Sequence, residues 1–403
     1  LIMNNNRGGK GKHTLEYLPW DATQSWKDAG QAAELIRSHK QFLFALGIQD
    51  GPNYYPDAVR WSSPADIGTI PSTWDPLDTT NFAGYTNLGG DGGKIIDGLS
   101  MRDAFVVYRE RSISVFDYSG DDLVWNIRHL SQSSGLVSPD AIVEVNGSHY
   151  FIGDGDILVN DGNSIESLLH KRIRKRFVSD YDSDFYLNSY AVKNEVASEV
   201  WFCIPESGHV YPTVAYIYNW RDDSWSIRDI PEAPFSNWGA QNSPPVSWDT
   251  VVGSWDNSVK TWNQRQLSPL DETVVSVTKP AGVGQSGNLL FLDKLSNIEI
   301  EPFSANIERV GYALEGMNRV TTITRVYPHM NGPGKVFIQV GSMDWPGAPT
   351  RWKEAVEFNA DLDRKIDVRT TGELHCFRVF SPVSDVGWEL SGFDVEYVPA
   401  GLR

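Results

Sequence analysis

The chain has 403 residues and a formal charge of −17, from 52 acidic and 35 basic side chains. A surface that acidic repels nucleic acid and anionic lipid unless a local basic patch outweighs it, and a chain that long exceeds one average core. The two cysteines, Cys203 and Cys376, rule out a disulfide framework or a CxxC metal site, and no apolar run reaches the roughly 18 residues of a membrane-spanning helix.

Aromatic residues make up 12% of the chain, including 15 Trp, and suit wedge-shaped gaps between packed sheets. The 35 Gly and 22 Pro are dispersed, which supplies turns and argues against a linker. The chain opens at Leu1 without an initiator Met or signal-like segment, so residues upstream of it are expected. The Gly-rich stretch from Asn4 to Lys12 reads as a frayed terminus. Ala33 to Ile48 reads as two strands around a short polar turn. Ala58 to Ser63 follows, and a Pro-rich loop leads to Trp74.

From Lys94 to Asp229 one unit recurs three times, starting near Lys94, Ala141 and Tyr186, about 45 residues apart. Each copy holds four short runs of β-branched and aromatic residues punctuated by Gly, Asp, Asn or Ser, the pattern of successive hairpins. The Asp-Asp-x-x-Trp-x-Ile-Arg ending of the first copy, Asp121 to Arg128, returns one residue shorter as Asp222 to Arg228. Four strands at this period predict a β-propeller blade. The fold class expected is therefore all-β, a β-propeller body over 1–302 with repeats near 33, 94, 141, 186 and 237. A C-terminal β-sandwich docking domain over 303–403 is expected to follow.

In order and spacing, several of these residues resemble a known family. They are Val59-Arg60-Trp61-Ser62 followed by Trp74, Tyr108 to Ile113 leading to Tyr118-Ser119-Gly120, Gly153-Asp154-Gly155 with Asp161-Gly162, and Tyr218-Asn219 before Trp225-Ser226. The stretch from about 55 to 230 resembles the tail hub, nozzle or tail stabilisation proteins of short-tailed bacteriophages, the podoviruses. The resemblance implies a propeller body, a homohexameric ring below an adaptor protein, and tail fibre or needle proteins as partners. It also implies a central channel passing double-stranded DNA without specific binding, and residence in the virion.

Asp154, Asp156 and Asp161 surround one hairpin and offer oxygen ligands for a hard cation, but Asp-Gly is also a common tight turn, and no metal or cofactor is expected. Ile165, Leu168, Leu169, Ile173 and Phe177 recur at helical spacing, predicting one helix over about 165–178 with Ser164 as its cap. Lys171, Arg172, Arg174, Lys175 and Arg176 concentrate positive charge there, the candidate contact with a neighbouring subunit or partner. Ser254-x-Asp256-x-Ser258 with Trp262 resembles the Asp-box of sialidase propellers. Ser258 replaces the usual Gly and the Trp falls one residue late, so it reads as a turn.

Beyond about Phe303 the runs RVTTITRVYP, KVFIQVGS, KIDVRT, HCFRVFS and WELSGFDVEYV alternate apolar and polar positions. Phe393, Val395 and Tyr397 are expected on one face, with Asp394 and Glu396 on the other. No GxSxG, HExxH or P-loop occurs, and the eight His are scattered singly, so a non-enzymatic structural role is expected. The alternative reading is a carbohydrate-binding or glycan-cleaving β-propeller using paired acids and exposed aromatics.

Overall fold

Asn146 and Gly147 lie in the left-handed region, at φ 52° and 78°, and close a two-residue hairpin in the computed structural model of the chain. Few residue types accept two such angles in succession, which is why Asn-Gly between apolar runs marks this turn. The structure describes residues 2–5, 14–17, 27–66, 69–78, 80–120, 124–182, 184–240, 272–279, 287–292, 297–298, 301–302, 304–316, 319–332, 335–381 and 388–402. The chain forms two compact units, Leu1–Phe291 and Leu292–Arg403.

In the first unit, antiparallel sheets follow one another along the chain. The first holds β1 (Ile2–Asn5), β2 (Thr14–Tyr17), β3 (Lys27–His39), β4 (Phe42–Asp50), β5 (Asn53–Trp61) and β6 (Gly84–Asn87) in sequence order. The second holds β7 (Ile95–Met101), β8 (Ala104–Arg109), β9 (Ile113–Tyr118) and β10 (Trp125–Ser131). The third holds β11 (Ile142–Val145), β12 (Ser148–Gly153), β13 (Asp156–Asn160) and β14 (Ile165–Ser167). The fourth holds β15 (Tyr190–Asn194), β16 (Glu199–Ile204), β17 (Val214–Asn219) and β18 (Ser224–Asp229). In the fifth, β19 (Phe235–Ala240), β20 (Glu272–Val277) and β21 (Leu289–Phe291) pair in order.

The sequence repeat has a physical counterpart in a cross-strand aromatic pair. Tyr118 faces Trp125 in the second sheet with ring centroids 5.3 Å apart, and Tyr218 faces Trp225 in the fourth at 5.1 Å. Such pairs hold the outer two strands of a sheet in register. Between sheets, one core joins Val106 and Tyr108 of the second, Phe151 and Ile157 of the third, and Phe202 and Tyr216 of the fourth. Phe44 of β4 stacks on Phe105 of β8 at 4.1 Å in the core between the first two sheets.

The expected propeller is corrected here. A propeller needs its series of sheets to return on itself. Among the described residues the fifth sheet has three strands, none of which pairs with the first sheet, and no sheet closes. The chain is all-β with several small antiparallel sheets. The expected continuation of the fourth repeat copy at 246–262, including Ser254 to Trp262, lies outside the described residues, as does most of the Asn4 to Lys12 stretch.

The predicted helix is also shorter than its periodicity. Ile165, Glu166 and Ser167 pair with Asn160, Val159 and Leu158, completing the third sheet as β14. The helix α1 (Lys171–Asp180) begins only after His170, which makes no side-chain cap. Open hydrogen-bonding groups on β13 outcompete a helical start at Ser164, because an edge left unpaired there would strand its N–H and C=O groups.

In the second unit, β22 (Asn297–Ile298) and β23 (Glu301–Pro302) form a hairpin. One sheet runs β24 (Ala305–Tyr312), β30 (Leu374–Ser381), β26 (Lys335–Met343), β27 (Arg351–Trp352), with β28 (Val356–Asn359) also on β26. The other runs β29 (Ile366–Gly372), β25 (Arg319–Asn331), β31 (Glu389–Leu402). Ile323 and Val326 of β25 and Ile366 of β29 share one core with Val336, Ile338 and Val340 of β26 and Val379 of β30, so the two sheets bury each other's inner faces. Phe393, Val395 and Tyr397 pack on that core, whereas Asp394 and Glu396 meet His329 and Arg325 at 2.9 and 3.1 Å on the opposite face.

Candidate functional site

β25 carries a bulge that its sequence requires. Ile323 and Val326 both turn inward although they are three residues apart, whereas strand alternation would place them on opposite faces. The register slips between Ile323 and Arg325 against both neighbours. Ile323 and Arg325 face Tyr397 and Glu396 on β31, and Thr370 and Asp367 on β29, so Thr324 is the extra residue against β31, while against β29 the surplus is on the partner, with Val368 and Arg369 opposite the single Thr324. Bulges bend a strand and re-aim side chains, and are frequent beside binding sites. Here the outcome is an open groove of about 630 Å³ on the outer face, lined by Thr322, Thr324, Asp367, Val368, Arg369, Val398, Pro399 and Ala400.

The chemistry of its walls is divided. Val398, Pro399 and Ala400 give an apolar strip. Thr322 and Thr324 give hydroxyls, the first paired with Thr371 Oγ1 at 2.9 Å and the second donating to the Glu396 carbonyl at 3.2 Å. Asp367 accepts from Arg325 Nε at 3.1 Å and Lys365 Nζ at 3.3 Å, and these two cations, Lys365 foremost, hold its carboxyl below the usual range. Arg369 is exposed and has no hydrogen-bond or ion-pair partner among the described residues.

A second polar centre lies in the first unit, where β3 of the first sheet and the first strands of the next three sheets, β7, β11 and β15, run beside one another. Arg37 Nη2 on β3 donates to Asp97 Oδ2 on β7 at 2.8 Å and to Asp140 Oδ1 at 3.2 Å. Asp140 immediately precedes the third sheet, has φ 62°, donates its own N–H to Asp97 Oδ2 at 3.2 Å, and accepts from Ala191 N of β15 at 2.9 Å. Burial, and next the charge of Asp97, push the Asp140 carboxyl up; Arg37 opposes the shift. The Asp97 side chain is only 2% exposed, against 57% for Asp140, so only Asp140 can meet a ligand.

The candidate residues read from sequence do not converge. Lys171, Arg172, Arg174, Lys175 and Arg176 all lie on α1. Arg174 reaches Asp156 Oδ2 at 3.4 Å and Arg176 reaches Asp180 Oδ2 at 3.3 Å, so part of the charge is met within the chain. Asp156 also accepts from Ile157 N and Ser167 Oγ, while Asp161 accepts from the backbone of Asn163 and Ser164, donors that lower its pKa. Asp154, Asp156 and Asp161 therefore serve separate local partners or solvent, and no group of carboxylate, His or Cys ligands gathers among the described residues. The described His residues at 39, 129, 149 and 375 each hold hydrogen bonds.

No family model matches this chain, and no curated protein does. Solved structures similar to it include Hsv2 of Kluyvelomyces marxianus, at 10% identity and a TM-score of 0.33 over 56% of this chain. That match covers 63% of Hsv2, so the chain spans less than two thirds of that protein. A putative 6-phosphogluconolactonase of Bacteroides fragilis is matched at 12% identity and 0.33, over 73% of this chain and 77% of that one. An exo-beta-1,3-galactanase of Phanerochaete chrysosporium is matched at 10% identity and 0.25, over 96% and 89%. At these TM-scores none of the likenesses assigns an activity.

The tail-hub expectation is corrected on the fold. Its physical premise, a closed propeller wedge tiled into a ring, is not what the sheets form among the described residues. The expectation of a purely structural, non-enzymatic chain is withdrawn with it. No described helix is long and apolar enough to cross a membrane.

The groove and the Arg37 centre both escaped sequence reasoning. For the groove, the three-residue spacing of Ile323 and Val326 was the available signal. For Arg37, Asp97 and Asp140, nothing local marks three residues brought together from positions this far apart.

Proposed function

We propose that the chain is a carbohydrate-directed protein that binds glycan in the groove at the Thr324 bulge. The observation that carries this is the division of the groove wall into an apolar strip, Val398 to Ala400, beside hydroxyl, carboxylate and guanidinium groups. A pyranose has the same division, with C–H faces and hydroxyl edges, and a groove of about 630 Å³ falls within the usual range for ligand sites. Titration of a panel of oligosaccharides into the whole chain by calorimetry tests it. Saturable binding that Val398→Trp abolishes is expected, and heats that this variant leaves unchanged, or no binding across the panel, would overturn it.

A second reading, cleavage of glycan by this chain, is favoured by Asp140. An exposed carboxyl with a raised pKa, beside a buried carboxylate held by Arg37, is suited to give a proton to a departing glycosidic oxygen. Release of reducing sugar by the wild type and its loss in Asp140→Asn is the expected result. Equal release by both proteins rejects Asp140 as the donor.

A further inference from the structure

We infer that the groove selects saccharides bearing a carboxylate, the uronate class, with Arg369 as the residue that reads the charge; this rests on the groove being the glycan site. Lys365, just before β29, and Asp367 and Arg369 on its outer face alternate, and the charges are not equivalent. Asp367 is shared by Lys365 and Arg325, and Arg325 also reaches Glu396 Oε2 at 3.1 Å, so these four groups satisfy one another. Arg369 is left over. It lines the groove, is exposed, and meets no carboxylate among the described residues.

An uncompensated guanidinium on a chain of charge −17 is a local reversal of sign, since the acidic side chain beside it is already neutralised twice. Its planar fork of N–H donors fits a carboxylate through two parallel bonds, geometry that a neutral sugar hydroxyl cannot reproduce. Thr322 and Thr324 would meet ring hydroxyls, and Val398 with Pro399 would meet the C–H face of the same residue. The bulge matters because it leaves Val368 and Arg369 opposite the single residue Thr324, beyond the regular ladder, so that Arg369 borders the groove.

The test is calorimetric titration of the whole chain with trigalacturonate, with the neutral trigalactoside, and with inorganic phosphate as a competitor. Trigalacturonate is expected to bind about tenfold or more tightly than the neutral sugar, and Arg369→Gln to erase that difference by weakening trigalacturonate far more than the neutral sugar. Raising salt should weaken only the acidic ligand. Equal binding of both sugars, or a preference untouched in Arg369→Gln, overturns the inference and leaves the glycan reading standing. Binding of neither sugar removes both. Displacement of trigalacturonate by equimolar phosphate would make the site a general anion site and also overturn it. Arg369 is exposed and unpaired, so Arg369→Gln should unfold at the wild-type urea midpoint, which keeps folding out of the comparison.

Discussion

Arg37 and Asp140 meet at 3.2 Å although 103 residues separate them, and the same guanidinium nitrogen holds Asp97 at 2.8 Å. One side chain from β3 thereby fastens β7 and the entry to β11, and the Asp140 carbonyl extends the join to β15. The sheets are separate in their hydrogen bonding and continuous through these groups.

Removing the cation should therefore be costly. Arg37→Met leaves the Asp97 carboxylate buried without its charge partner, and a loss of about 2–4 kcal/mol is expected, less than for a fully buried pair because Arg37 is 30% exposed. Urea unfolding at pH 7 measures it, and an unchanged midpoint would contradict it.

Asp140 sets a pH dependence of opposite sign to that of Asp161 or Asp367, whose carboxyls are held low. Its folded pKa is raised, so the folded state holds the proton more tightly, and stability falls as pH rises from the unfolded value through the folded one. The difference between wild type and Asp140→Asn, followed by urea midpoint from pH 3 to pH 7, should shift against the wild type as pH rises. A difference independent of pH would contradict it.

His149 is buried and neutral. Its Nδ1 lies 2.9 Å from the Tyr108 hydroxyl, its Nε2 2.9 Å from the Ser100 carbonyl, and Asn160 Nδ2 donates to the same Tyr108 oxygen at 2.8 Å. Burial lowers its pKa to about 4. The associated stability is fully present above the unfolded pKa and is lost as pH falls toward 4, about 3 kcal/mol in all. His149→Gln should lack this acid sensitivity, and Tyr108→Phe should cost about 1–3 kcal/mol at neutral pH by stranding two buried partners.

Phe177 anchors α1. It is fully buried, stacked on Tyr181 at 5.4 Å and edge-on to Tyr216 at 5.2 Å. Phe177→Ala should cost about 3–5 kcal/mol, and amide exchange in α1 should rise more than in β16 or β17.

What the sequence revealed depended on how local its cause was. The Asn146-Gly147 turn and the Tyr118–Trp125 and Tyr218–Trp225 pairs follow from neighbouring residues, and the four-strand units were legible from them. Closure of a ring was not, since the angle between sheets is set by which side chains meet across them, such as Phe44 on Phe105, and spacing along the chain carries no record of that. The helix was overestimated because its apolar period continues through Ile165, where pairing with Asn160 decides the outcome. In the groove, Arg369 looked like one charge in an alternating strand; its lack of a partner is a property of the folded face alone.

The bulge at Thr324 also fixes the phase of everything after it on β25. Were that single residue deleted, Ile323 and Val326 would stand two apart and both keep to the core by plain alternation, but Val368 and Arg369 would face no residue of β25 and the bend that opens the groove would go. Insertions and deletions elsewhere on the surface of this unit change a loop; at Thr324 one codon would decide whether this face is bent or flat.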